Sequence, residues 1–213
     1  MKKAAMWLKG HLLAGFYALA LVLCVLSCLG TAIWDGIGYA TGRLYPQELS
    51  LATAETQNVV VTDSGLWVST TSDPQILLTS TQQIRTVRWV TQSDTVAGEI
   101  EGYYARNGGF SLRDRIFGRT TKTAGEAVLW FPISGGSTVR IDPVGRAGAV
   151  FAGGADEAVL YINEPRSFIS YFVLDASQVF WLLVLPAIVA AIADWVKQMA
   201  GIIRIHKKQE GQK

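Results

Sequence analysis

The chain has 213 residues, half of them hydrophobic and 17% charged, with a formal net charge of +2 and a mean hydropathy of +0.26. A soluble domain carries about 25% charged residues, so these averages exclude an ordinary soluble globular protein, and the high apolar fraction with low net charge excludes a disordered chain. The two cysteines exclude a disulfide scaffold.

In chain order, residues 1–9 carry Lys2, Lys3 and Lys9 and read as a cytoplasmic N-terminus. Residues 10–34 hold no formally charged side chain over 25 positions, more than the roughly 20 needed to cross a bilayer core. This is the first transmembrane helix. Gly30-Thr31-Ala32 would suit a signal peptidase, and Val25-Leu26-Ser27-Cys28 loosely matches a lipid-attachment box at Cys28. The apolar stretch exceeds the about 7–15 residues of a cleaved signal's apolar region, which favours an uncleaved anchor. Within it Ala20, Cys24, Ser27, Cys28 and Thr31 form a small, weakly polar stripe, of the kind that lets membrane helices approach closely.

Residues 35–57 read as a linker and lead-in. From 58 to 165 short runs rich in Val, Ile, Thr and aromatics are separated by Gly, Asp, Asn and Pro, the pattern of many short strands. Nine are expected: Asn58 to Thr62, Leu66 to Thr70, Gln75 to Ser80, Ile84 to Thr91, Gly98 to Arg106, Ala127 to Ile133, Thr138 to Asp142, Gly148 to Ala152 and Ala158 to Asn163. Alternation sets Ile100 and Tyr104 opposite Glu99, Glu101 and Tyr103, and Val139 and Ile141 opposite Arg140 and Asp142. Ala127 to Phe131 is apolar on both faces, as in a central strand. The fold expected is mainly β, an antiparallel sandwich of two packed sheets flanked by two transmembrane helices.

Residues 168–196 read as a juxtamembrane segment and the second span. Ala176 to Ala193 is uncharged, and Pro186 within it kinks the helix. Ala187, Ala190, Ala191 and Asp194 offer a second small-residue face. Two packing arrangements suit these faces: the helices on each other, or on a larger membrane protein. Residues 197–213 form a basic tail suited to an anionic inner leaflet. Of the basic residues beside the spans, Lys2, Lys3 and Lys9 precede the first and Lys197, Arg204, Lys207, Lys208 and Lys213 follow the second, while only Arg43 and Arg166 lie near a span end on the other side; this places both termini in the cytoplasm and the middle of a two-pass protein outside the cell membrane. The +2 thus resolves into +6 on the inner termini and −4 on residues 35–175, a poor surface for nucleic acid.

The histidines, His11 and His206, and the cysteines, Cys24 and Cys28, all lie outside the central segment. That segment therefore has no Ser-His-Asp or Cys-His site of its own and no His/Cys zinc site. It also lacks a Walker A loop and a dinucleotide fingerprint. No cofactor, metal or catalytic residue is expected. Calcium at Asp63, Asp73, Asp94, Asp142, Asp156 or Glu157 would want a dense acidic loop, whereas these positions read as turns. Glu99 and Glu101, two apart on a strand and so about 7 Å apart, have the spacing of an inverting glycosidase pair, or of a solvated strand face. Trp67, Trp89, Tyr103 and Arg106 are the candidates for ligand binding. Trp67 and Tyr103 are expected to be exposed for stacking on a sugar, and Trp130 and Tyr104 to be core. Arg106 and Arg140 would suit an acidic glycan.

Ser72-Asp73-Pro74-Gln75-Ile76, then Gly102-Tyr103-Tyr104-Ala105-Arg106 with Gly109-Phe110-Ser111, then Val139-Arg140-Ile141-Asp142-Pro143 with Gly148-Ala149-Val150, follow one another in a recognisable order. In this the chain resembles the extracytoplasmic jelly-roll modules attached to bacterial membrane glycosyltransferases and other cell-surface polysaccharide proteins, over roughly Gly65 to Asn163. It departs from them in having neither a catalytic domain nor many spans. The resemblance implies a non-catalytic glycan-binding or accessory module, with the membrane and an envelope glycan as partners. The alternative is a scaffold or regulatory subunit of a membrane complex.

Overall fold

The computed structural model describes residues 12–90, 99–105, 109–120, 126–153 and 159–210, with no side-chain detail from 204 onward. The chain divides into two compact units, Asp35–Pro165 and the flanking segments on either side of it.

The central unit contains thirteen strands among the described residues: β1 (Gln47–Ser50), β2 (Glu55–Gln57), β3 (Val59–Val61), β4 (Trp67–Ser69), β5 (Gln75–Thr79), β6 (Thr86–Val90), β7 (Glu101–Tyr104), β8 (Arg115–Phe117), β9 (Arg119–Thr120), β10 (Glu126–Trp130), β11 (Thr138–Asp142), β12 (Val150–Ala152) and β13 (Val159–Ile162). They form a β1-β13-β6-β10-β9 sheet, a β2-β5-β11-β7-β8 sheet and a small β12-β4-β3 sheet, with antiparallel pairings throughout. The eight principal strands in chain order are β1, β5, β6, β7, β8, β10, β11 and β13. The first sheet then takes the first, eighth, third and sixth of them, and the second takes the second, seventh, fourth and fifth. That interleaving is the double Greek key of a jelly roll.

Period-two alternation builds the core between the sheets. Val87, Trp89, Leu129, Leu160 and Ile162 face inward from one large sheet, and Ile76, Leu78, Tyr104, Val139 and Ile141 from the other, in a single cluster that also takes in Trp67 and Phe151. At Gly102 a Cβ would stand 3.1 Å from Phe131 and 3.2 Å from Ile116 and Leu129, close enough that these side chains would have to give way.

All nine expected strands are present: Thr138–Asp142 has the expected bounds, the strand expected from Ala127 begins at Glu126 and ends at Trp130, and the other seven are narrower. The structure adds β1, β2, β8 and β9, and a third sheet where two were expected. Residues 35–57 are more than a linker, since they supply the end of the first helix together with β1 and β2.

Helix α1 (Leu12–Ala40) has 29 residues. At about 1.5 Å per residue it is longer than a ~30 Å hydrocarbon core requires, and its last residues, from Asp35, belong to the sandwich unit. Asp35 is buried there against Arg85, which is itself 2% exposed. Arg85 Nε donates to Asp35 Oδ1 at 2.7 Å and Nη2 to Oδ2 at 3.3 Å, while Nη1 donates to the Phe131 carbonyl. Buried Asn163, at φ 53°, accepts from the backbone N–H groups of Arg85 at 2.6 Å and Thr86 at 3.2 Å and donates to the Gln83 carbonyl at 2.7 Å. Asparagine tolerates this left-handed backbone because its short polar side chain bonds locally. Tyr39, one turn beyond Asp35, donates to the carbonyls of Asn163 and Glu164.

The flanking unit pairs the rest of α1 with α2 (Ala176–Glu210). Both helices are long and apolar enough to cross a membrane. Pro186 lies inside α2 and leaves the carbonyl four residues earlier without a helical donor. Beside that point the Tyr17 hydroxyl donates to the Leu183 carbonyl at 2.6 Å. Of the expected packing residues Ala20, Cys24, Cys28, Thr31 and Ala187 are half-buried. Ser27 and Ala191 are exposed, and Ala190, part of the expected α2 face, is buried.

Breaking the Asp35–Arg85 pair strands a buried charge, which costs about 3–5 kcal/mol. Asp35→Asn or Arg85→Met alone is expected to lower the thermal midpoint of the detergent-solubilised protein sharply. The double change Asp35→Leu with Arg85→Met restores much of the loss. Tryptophan fluorescence during unfolding measures both.

Candidate functional site

The outer face of the β2-β5-β11-β7-β8 sheet carries the densest set of polar and aromatic side chains that the sequence singled out. Because Val139, Ile141 and Tyr104 point inward, Arg140, Asp142, Glu101 and Tyr103 point outward. The registers align Glu55, Leu77, Arg140, Tyr103 and Arg115 in one row across all five strands. Asp142, Glu101 and Phe117 form the row beside it. At about 4.8 Å between strands the longer row spans roughly 19 Å.

Arg140 is the hub. Its Nε and Nη2 donate to the two carboxylate oxygens of Asp142 at 2.7 and 2.6 Å, and Nη2 also donates to Asp73 at 2.6 Å. Its guanidinium carbon lies 5.0 Å from the centre of the Tyr103 ring, a cation–π contact. The Tyr103 hydroxyl donates to Glu101, whose other oxygen accepts from Arg115 at 3.1 Å. Arg115 in turn lies over the Phe117 ring at 4.7 Å. Phe117 is 51% exposed and is the open aromatic ring of this face.

The electrostatics follow from this network. Burial, and then the bond to Glu101, push the Tyr103 phenol up from 10.0 to about 12. The hydrogen bonds to Asp142 raise the already high pKa of Arg140. Burial pushes the Asp142 carboxyl up, opposed by Arg140.

The expected ligand residues separate on this structure. Tyr103 is on the face but only 7% exposed, so it offers no open ring for stacking. Trp67 and Trp89 are in the core, at 8% and 3% exposure. Trp67 fails the expectation because β4 turns Trp67 and Ser69 inward and Val68 outward. Trp89 packs edge-on against Phe151 at 6.0 Å. Arg106 lies outside the described residues. Trp130, expected in the core, is half-buried on the outer side of β10, with Arg119 over its ring at 4.4 Å. Glu99 is exposed and precedes β7, so Glu99 and Glu101 do not share a strand face as the glycosidase spacing requires. Asp73 and Asp142 do meet, with an arginine between them. Asp94, Asp156 and Glu157 lie outside the described residues. Among those described, no group of three His, Cys, Asp or Glu could hold a metal ion.

Phe117 and Arg115 were missed because Arg113, Arg115 and Arg119 interrupt the short apolar run of Ile116 and Phe117, so no strand was expected there. The polar–apolar–aromatic order of Arg115-Ile116-Phe117 was the available signal.

No family model matches the chain, and no curated protein matches it. Among solved structures it is similar to a low affinity xylan binding module, CBM86, from the xylanolytic gut symbiont Roseburia intestinalis. The identity is 12%, the match covers 55% of this chain and 90% of that one, and the TM-score is 0.32. The jelly-roll assignment rests on the strand order alone.

The raised Tyr103 phenol has a measurable consequence. The folded state holds this proton more tightly than the unfolded state, so the stability it contributes is full below pH 10 and is lost as pH rises through about 12. Alkaline absorbance titration is expected to show one late tyrosine that Tyr103→Phe removes. Denaturant midpoints over the same interval fall more steeply for the wild type than for the variant.

Proposed function

We propose that this protein is a membrane-anchored, non-catalytic glycan-binding or accessory module of a bacterial cell-envelope polysaccharide system, with the jelly roll outside the membrane and both termini in the cytoplasm. The observation that carries the reading is the exposed Phe117 ring set beside the ordered Glu101, Tyr103 and Arg115 groups on one sheet face. A ring face complements the C–H surface of a sugar, and fixed donors and acceptors beside it select its hydroxyls. Two long apolar helices supply the anchor, and the charge asymmetry of the termini supplies the orientation.

A second reading, a scaffold or regulatory subunit, is favoured by the groove of about 680 Å³ between α1 and α2, lined by Leu12, Leu13, Ala187, Ala190, Ala191 and Asp194. It would accept a helix of a larger membrane protein.

Calorimetry of the full chain in detergent against envelope oligosaccharides separates the two. On the glycan reading at least one binds, and Phe117→Ala weakens it about two- to twelvefold, as losing an aromatic contact worth ~0.5–1.5 kcal/mol does. Absence of binding across neutral, acidic and amine-bearing oligosaccharides, with co-purification of a membrane partner, moves the assignment to the scaffold.

A further inference from the structure

The glycan face has an electrostatic sign and a pocket at one end. Arg140 is held by Asp73, Asp142 and the Tyr103 ring, and Arg115 by Glu101 and the Phe117 ring. Both cations of the two rows are therefore committed to carboxylates already present. Among the described residues the acidic side chains of this network and its β2 end are Asp73, Asp142, Glu101 and Glu55, which outnumber Arg140 and Arg115 two to one and leave it net negative. At its β2/β5 end, a pocket of about 230 Å³ is lined by Leu49, Ser50, Thr53, Glu55, Leu77 and Thr79 among others, and its lining contains no basic residue. Glu55 and Leu77 both line this pocket and begin the row that runs on to Arg140 and Tyr103. At ~30 Å³ per water the pocket holds roughly eight waters, the scale of one monosaccharide and smaller than the cavities that enclose drug-sized ligands.

A carboxylate among hydroxyls in a pocket without a base complements an ammonium group, and a net negative approach repels polyanions. We infer that the ligand is an amine-bearing glycan, a polymer containing free hexosamine, with one amino sugar seated at Glu55 and the chain running across the strands toward Phe117. This rests on the glycan-binding reading. It reverses the expectation from sequence that Arg140 serves an acidic glycan, because the charge of that guanidinium is already matched by the carboxylates of Asp73 and Asp142.

The test uses the full chain in detergent and three oligosaccharides of equal length: a glucosamine oligomer, its N-acetylated counterpart and a uronic acid oligomer. The glucosamine oligomer is expected to bind about fivefold tighter than the acetylated one, the upper end for an exposed ion pair, with the difference shrinking as salt is raised. Glu55→Gln brings the two to parity while Phe117→Ala weakens both. Uronate binding as tight as glucosamine binding overturns the inference, and so does a preference unchanged by Glu55→Gln; both leave the glycan reading standing. Failure of all three to bind overturns the glycan reading and this inference together.

Discussion

The Asp35–Arg85 pair is the constraint on which the central unit depends. Removing two charges from water costs several kcal/mol per ion, and the pair returns this only where geometry is good and the remaining donors are satisfied. Here the guanidinium meets both carboxylate oxygens and sends its other amino group to the Phe131 carbonyl. Asn163 holds the backbone of Arg85 in place. One cation thereby joins the end of α1, the approach to β6, the exit of β10 and the exit of β13. These are three neighbouring strands of one sheet and the element that precedes the sandwich in the chain. A partly satisfied network at this position would be worse than an apolar one, which is why the structure spends a fully buried asparagine on it.

Much of the fold was legible. Strands with clear alternation between turns, such as Thr138 to Asp142, were read directly, because one face is buried and the sequence must say so. β8 and β9 lie among Arg113, Arg115 and Arg119, where charge interrupts the apolar pattern from which a strand is read. β1 and β2 were hidden behind the assumption that a span ends where charge first appears. Asp35 is that first charge, and its partner is 50 residues away, a separation that no local pattern reports.

The site was legible in part for a related reason. Alternation correctly put Glu101, Tyr103, Arg140 and Asp142 on outer faces. It could not show that β7 and β11 are neighbours, nor which of them stands beside β8, since that follows from the order of strands in the sheet. Trp67 shows the opposite failure: a three-residue strand offers two equally consistent assignments of inside and outside, and the core took the larger ring.

The ladder around Arg140 also sets the manner in which this face can hold anything. Its side chains are already fixed by one another, so a ligand loses little to ordering them, but each new hydrogen bond competes with one already made. Contact at a single copy is then brief and shallow. On the glycan-binding reading, strength would come from repetition, many copies meeting many repeats of one polymer, where the effective concentration of the next site replaces the quality of the first. Such a face would hold a long polymer and release a short fragment of it.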